Sequence, residues 1–398
     1  MRLVVIIIQI LSLFTFSSSE STKHSDISYN KVSKERMNFT ELSRECGVYA
    51  EEFEVVTEDG YILTLFHIPG KKKPVLLVHG IGDTSNTWVL RGNKSLAIAL
   101  VREGYDVWAG NIRGNRYGRK HVNLNPDTDE TFWDFSFHQV GLFDWPAMID
   151  RVLKETKQTK LNAIAHSQGT TSFFVLSTLK PEYNEKVELL IALAPVAFLD
   201  HIGPGMASIA KLGPLIAKVL KTLRINEIFA DGNADKKLME SFCTLGKLTE
   251  KICTIFPLGI ITGINPDGIE SEFIPLLFSQ YFAGISRKTL EHYNQMYFSG
   301  KFAQFDYGPS NNLLVYGKIA PPEYDLSKVR TKTAILYGEN DMMATVEDVQ
   351  RLGRLLPNLV CIKAIKDEKW THIDFTWGRE AYKYLFGHII ELLNKNGR

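Results

Sequence analysis

Three residue types, met in one order along the chain, could do chemistry. The first is a serine. Leu161-Asn162-Ala163-Ile164-Ala165-His166-Ser167-Gln168-Gly169-Thr170 reads as an apolar strand, a tight turn and the start of a helix, with x-x-Ser-x-Gly at the turn. This is the nucleophile-elbow pattern, in which a sharp bend lifts a serine hydroxyl clear of a sheet. A serine opening a helix is more often a cap, but the strand before and the helix after favour a nucleophile. Its hydroxyl needs a base to take the proton, and the base needs a carboxylate to orient it. In this strand–elbow–helix setting the acid and then the histidine follow the serine in the chain. Gly338-Glu339-Asn340-Asp341 leaves a strand and puts Asp341 on its end loop; Trp370-Thr371-His372 leaves the last strand. Asp306 and Asp374 are rival acids that close no strand, His388 lies inside the final helix, and His166 points away from its neighbour on a tight elbow. A developing oxyanion needs backbone N–H donors. Gln168 follows the nucleophile, and Ile81 lies in the loop His79-Gly80-Ile81-Gly82-Asp83, which His79 braces. No metal-ligand spacing, dinucleotide fingerprint or phosphate loop occurs, so no metal or cofactor is expected.

The elements that must position these groups alternate. Phe53–Thr57 and Tyr61–Phe66 form a hairpin around Glu58-Asp59-Gly60. Val75–Val78 is a continuous apolar run of the kind buried on both faces. A helix over Ser95–Glu103 closes at Gly104, and Tyr105–Ala109 is the next strand. A long loop, Gly110–Phe137, leads to a helix over Val140–Lys157. After the elbow come strands at Glu188–Ala194, Thr333–Tyr337 and Val360–Ile365, and a final helix over Arg379–Lys395. Eight strands in this rhythm predict an α/β fold with a mostly parallel sheet of α/β-hydrolase order, Ser167 standing after the fifth strand. Between residues 200 and 307 the rhythm breaks into helical, apolar, Gly- and Pro-punctuated sequence, with helices over Pro214–Leu223, Leu276–Phe282 and Leu290–Phe298. The reading is a core over 45–199 and 308–398, with 200–307 inserted as a helical cap with a lid.

The composition is that of a globular protein, and a net charge of +1 over 398 residues gives no electrostatic case for nucleic acid. Met1-Arg2, the apolar run Leu3–Phe16 and Ser17-Ser18-Ser19 read as a signal peptide over 1–19, followed by an extension over 20–44. Fourteen helical residues rise roughly 21 Å, short of a bilayer core of roughly 30 Å, so no stable transmembrane anchor is expected. Sequons at Asn38 and Asn93 and four cysteines suit the secretory pathway. Cys243 and Cys253 are close enough to staple a loop, while Cys46 and Cys361 are far apart.

The passages Glu58–Leu63, His79-Gly80, Gly104–Trp108, Asn111–Asn115, His166–Thr170, Ala192–Ala197, Asn340-Asp341 and His372–Phe375 resemble the acid lipase family of gastric and lysosomal lipases. The resemblance runs from about Arg44 to the C-terminus. It implies a helical cap, secretion or lysosomal delivery, and hydrolysis of neutral lipid esters at an emulsion or membrane interface. It also implies Ser167, Asp341 and His372 as the triad, Ile81 and Gln168 as the oxyanion hole, and a cap disulfide at Cys243 and Cys253. The chain departs from the family at Ala165, Gly82, Asp83, Gly118 and Glu339, and Asp83 puts a charge beside the site. Competing readings are a short-chain carboxylesterase or phospholipase on the same scaffold, or a lipid-binding protein without catalysis. Haloalkane and epoxide chemistry is disfavoured, because it calls for a carboxylate at the elbow.

Overall fold

Strand β1 (Glu51–Val56) alternates half-buried and exposed residues, whereas β3 (Pro74–Val78) and β5 (Leu161–His166) are buried at every position. The difference places β1 at an edge and the other two at the centre of one sheet. The computed structural model describes residues 37–230 and 258–396. The leader, Cys243 and Cys253 lie outside the described residues.

With β2 (Tyr61–Ile68), β4 (Asp106–Gly110), β6 (Val187–Leu193), β7 (Lys332–Tyr337) and β8 (Leu359–Ala364), the order across the sheet is β1-β2-β4-β3-β5-β6-β7-β8. β2 runs antiparallel to both β1 and β4, and every pairing from β4 to β8 is parallel. A two-residue strand inside the long loop, Lys120–His121, also pairs with the start of β2. Parallel neighbours end on the same edge, so the residues that follow β3, β5, β7 and β8 gather there. The loop carrying Ile81, the elbow, the Asp341 loop and the His372 loop are those segments.

Among the described residues the helices of seven residues or more are α1 (Phe39–Glu45), α2 (Leu96–Arg102), α3 (Trp145–Thr156), α4 (Gln168–Leu179), α5 (Pro204–Thr222), α6 (Ile274–Gln280), α7 (Arg287–Ser299), α8 (Pro309–Tyr316), α9 (Val346–Leu355) and α10 (Phe386–Asn396). Three differ from the sequence expectation. α5 begins ten residues before Pro214 and carries that proline inside it. The final helix is interrupted at Leu385, whose φ of −108° departs from the regular helical value, between Ala381–Tyr384 and α10. The helix expected from Val140 opens with one π-turn, Val140–Asp144, before α3.

That π-turn brings Asp144, fully buried, against Arg113 of the long loop. Arg113 Nε and backbone N–H donate to Asp144 at 2.7 and 2.9 Å, and its two Nη groups donate to Asp59 of the β1–β2 turn at 2.6 and 2.8 Å. The guanidinium also stacks on Tyr61, 3.9 Å from the ring centre. One planar cation thus pins the hairpin, the long loop and α3 together. Arg113→Met leaves a buried carboxylate unpaired, and urea unfolding should show a loss of about 3–5 kcal/mol. A loss below about 1 kcal/mol, the range of surface pairs, would contradict this.

Candidate active site

β5 ends in a bend that few residues adopt. Ser167 has φ 51° and ψ −119°, a conformation that costs a non-glycine residue of order 1–3 kcal/mol. The bend is over-determined. Ser167 N–H donates to Leu193 O at 3.1 Å, and its own carbonyl accepts from Thr170 N–H at 2.8 Å and from the Thr170 hydroxyl. Gly169 begins α4 so close to β3 that a Cβ would lie 2.8 Å from Val78 O, which is why this position has no side chain. Ala165, fully buried in β5, takes its extra methyl without displacing the strand pairing to Val78 and Ala192.

The bend aims Ser167 at the histidine. Ser167 Oγ lies 2.7 Å from His372 Nε2, and His372 Nδ1 lies 2.8 Å from Asp341 Oδ2. Asp341 Oδ1 accepts from the Met343 and Ala344 N–H groups at 2.8 and 2.9 Å, so both carboxylate oxygens are held. With Nδ1–H donated to the carboxylate, Nε2 is left to accept the serine proton. This line can make a hydroxyl nucleophilic and store its proton on an imidazolium beside a fixed negative charge. All three residues are buried, Ser167 only 4 % exposed.

The rival candidates fall elsewhere. Asp374 Oδ2 accepts from Thr371 N–H and hydroxyl, both at 2.8 Å, and from Asn265 at 3.2 Å, so it shapes the histidine loop. Asp306 accepts from Gly308 N–H and Asn312 at the start of α8, and His388 lies against Lys363. His166 donates from Nε2 to the backbone carbonyl of His372 at 2.9 Å. Burial, with His372 adjacent, holds its pKa well below the ordinary histidine value, so it is a neutral brace. Sequence reasoning set His166 aside as a base but missed this role, which only a contact spanning 206 residues reveals.

The loop after β3 runs directly over the serine: a Cβ on Gly80 would meet Ser167 Cβ at 3.2 Å. His79, fully buried and lowered to about 4 by burial, bonds Gly80 O through Nδ1 and faces Asn115 through Nε2. The carbonyl of Ile81 accepts from Tyr281 OH at 3.3 Å, and that of Gly82 accepts from Ala283 N–H at 2.8 Å. Tyr281 stacks on Phe282 and meets the edge of Trp377, while Phe282 stacks on Phe229. An apolar, aromatic wall therefore stands beside this loop. Asn38 caps α1 through its Oδ1, and Asn93 is exposed. Cys361 is a free thiol. Among the described residues no cluster fit to hold a metal occurs, and no helix is long and apolar enough to cross a membrane.

A serine on a strained elbow, in line with a histidine and an aspartate on a mostly parallel sheet of this order, is the arrangement of an α/β-hydrolase. The chain matches the alpha/beta hydrolase fold family over residues 73–378 and the partial alpha/beta-hydrolase lipase region over residues 39–92. It is 37% identical to Lipase 1 of Drosophila melanogaster (90% of this chain, 80% of that one). It is 34% identical to gastric triacylglycerol lipase of Mus musculus (90% and 91%) and 33% identical to lysosomal acid lipase/cholesteryl ester hydrolase of Macaca fascicularis (94% and 96%). The chain belongs to the acid lipase family of α/β-hydrolases and is a carboxylic ester hydrolase. Among solved structures it resembles an epoxide hydrolase from Vigna radiata (TM-score 0.52, 17% identity, 87% of this chain and 98% of that one). It also resembles a bacterial membrane phospholipase A (0.50, 13%, 100% and 99%). These likenesses show the fold alone.

Asp83, a departure from the family, is 6 % exposed. Burial pushes its carboxyl up to about 7 against the pull of Thr84 N–H, the Thr87 hydroxyl and Arg116. An unfolded aspartate releases its proton near pH 4. Folding therefore holds a proton that the unfolded chain lacks between about pH 4 and 7, and this contribution to stability is lost as pH rises through that window. Asp83→Asn, which cannot ionise, should melt about 2–4 °C above the parent at pH 8. The difference should close toward pH 4; a pH-independent difference would contradict the assignment.

Proposed function

We propose that this chain is a secreted or lysosomal serine lipase that hydrolyses neutral lipid esters, triacylglycerol or sterol ester, through an acyl-enzyme. The observation that carries this reading is the line from Ser167 Oγ to His372 Nε2 to Asp341 Oδ2, at 2.7 and 2.8 Å, beginning on a strained elbow.

Ser167 Oγ attacks the ester carbonyl carbon while His372 Nε2 takes its proton, and Asp341 stabilises the imidazolium. The tetrahedral oxyanion accepts from Gln168 N–H, at the head of α4, and from Ile81 N–H, in the loop whose carbonyls Tyr281 and Ala283 hold in place. Collapse expels the alcohol, which leaves with the proton from His372. Water then enters, gives a proton to His372 and attacks the acyl carbon; the fatty acid forms as Ser167 Oγ leaves and takes that proton back from His372. No cofactor takes part.

The substrate class rests on the surroundings. Residues 200–307 act as a cap whose aromatic wall of Phe229, Tyr281 and Phe282 suits an acyl chain. On α5 no residue is buried among the described residues, and Leu215, Ile216, Val219 and Leu223 at its end are exposed, as a surface meeting a lipid interface requires. Because Ser167 is only 4 % exposed, the cap has to move for an ester to enter. The apolar leader over 1–19 and the sequons at Asn38 and Asn93 support passage through the secretory pathway. A carboxyl at Asp83 that favours the protonated state in the folded chain suits an acidic compartment.

The purified mature chain, with emulsified triolein and cholesteryl oleate at acid and neutral pH, should release fatty acid. Ser167→Ala should retain the fold and lose at least about 10⁴-fold in kcat, and Asp341→Asn should lose a comparable amount. Hydrolysis surviving in Ser167→Ala would overturn the mechanism. Turnover confined to soluble short-chain esters would move the reading to a carboxylesterase.

A further inference from the structure

The acid and the base of the line stand on separate loops, after β7 and β8, and a third segment reaches both. It is the turn Thr262–Asn265 of the insertion. The Thr262 carbonyl accepts from His372 N–H at 3.1 Å and from Met342 N–H, next to Asp341, at 3.4 Å. One oxygen thus bridges the backbones of the two loops. It is fixed from behind, since the Thr262 hydroxyl donates to Leu258 O at 2.8 Å and Gly263 N–H donates to Gly259 O at 2.9 Å.

The contact continues over the next three residues. Gly263, at φ 111°, passes so close that a Cβ would lie 2.1 Å from Asn340 O and 2.9 Å from Thr371 Cγ2. Asn340 Nδ2 donates both to Ile264 O at 2.9 Å and to Lys369 O at 3.2 Å, joining the acid loop, the turn and the approach to His372. Asn265 donates to Asp374, which in turn holds Thr371. Meanwhile the His372 carbonyl accepts from His166 of β5. The backbone of His372 is therefore clamped between the elbow strand, through its C=O, and the insertion, through its N–H.

We propose that the Thr262–Gly263 turn is a positioning element for hydrolysis, and that Gly263 and Asn340 are its positioning residues. The insertion then does more than cover the site: its seating on the core sets the distance between Asp341 and His372. A displacement of about 1 Å in such a group costs on the order of 10²-fold in rate. The proposal rests on the serine-hydrolase reading above.

The test uses the full mature chain and two variants. Gly263→Ala introduces a methyl group against Asn340 O, and Asn340→Ala removes two hydrogen bonds without adding an atom. Intact sites are counted by titration with a p-nitrophenyl phosphonate, and kcat and KM per titrated site are then measured on p-nitrophenyl butyrate, a soluble ester. Gly263→Ala should lose about 10–100-fold in kcat per site, and Asn340→Ala several-fold, with KM within about twofold of the parent. A purely structural role would instead lower the number of titratable sites or the melting temperature and leave kcat per site alone; that outcome overturns the proposal. Should Gly263→Ala fail to fold, Asn340→Ala decides. A parent that neither hydrolyses the ester nor reacts with the phosphonate would bring down the serine-hydrolase reading itself, a result distinct from an active parent with unaffected variants.

Discussion

A fully buried strand that stops at a residue with φ of 51° has to be held there by its neighbours, and in this molecule the neighbours are the functional parts. The Ser167 N–H is tied to β6, its carbonyl to the first turn of α4, and α4 is seated on β3 through the missing side chain of Gly169. Each tie also fixes something the chemistry needs. The close packing of α4 puts Gln168 N–H at the bend, and the close packing of Gly80 lays the next loop across the serine. The strain at one residue is therefore balanced by contacts that would be wanted in any case.

The groups around this bend are kept in single protonation states by burial. His79 and His166 are both neutral braces, one holding the loop over the serine and the other holding the backbone of His372. A desolvated imidazole stays neutral, so neither adds a charge beside His372. Farther out, Arg113 plays the complementary part, a permanent cation with three partners that fixes the long loop behind His79. Asp83 is the exception: its burial leaves a proton balanced near neutrality beside the loop.

Two of the contacts between the insertion and the core lie beside the serine and its partners. Tyr281 and Ala283 hold the carbonyls of the loop on one side, and Thr262 bridges the acid and histidine loops on the other. At both, a backbone carbonyl is the acceptor that links the two segments.

Sequence alone was enough for whatever local chemistry dictates. The hairpin around Glu58-Asp59-Gly60 and the continuous apolar run Val75–Val78 are legible, because turn residues and burial on both faces each leave a local pattern. Ala165 and Gly169 around Ser167 mark an elbow, because only small residues fit a strand turning into a helix. The expected order serine, aspartate, histidine comes from the elbow pattern and its setting. Helix limits were less legible: Pro214 reads as a start yet lies inside α5, and the break at Leu385 has no local signal. What only the tertiary structure decided are contacts between segments far apart in the chain. That Asp374 shapes a loop while Asp341 faces the imidazole, that His166 braces His372, and that Thr262 joins both loops depends on hydrogen bonds spanning tens to hundreds of residues. A backbone carbonyl has no residue type to recognise, so its partner becomes visible only when the chain has closed on itself.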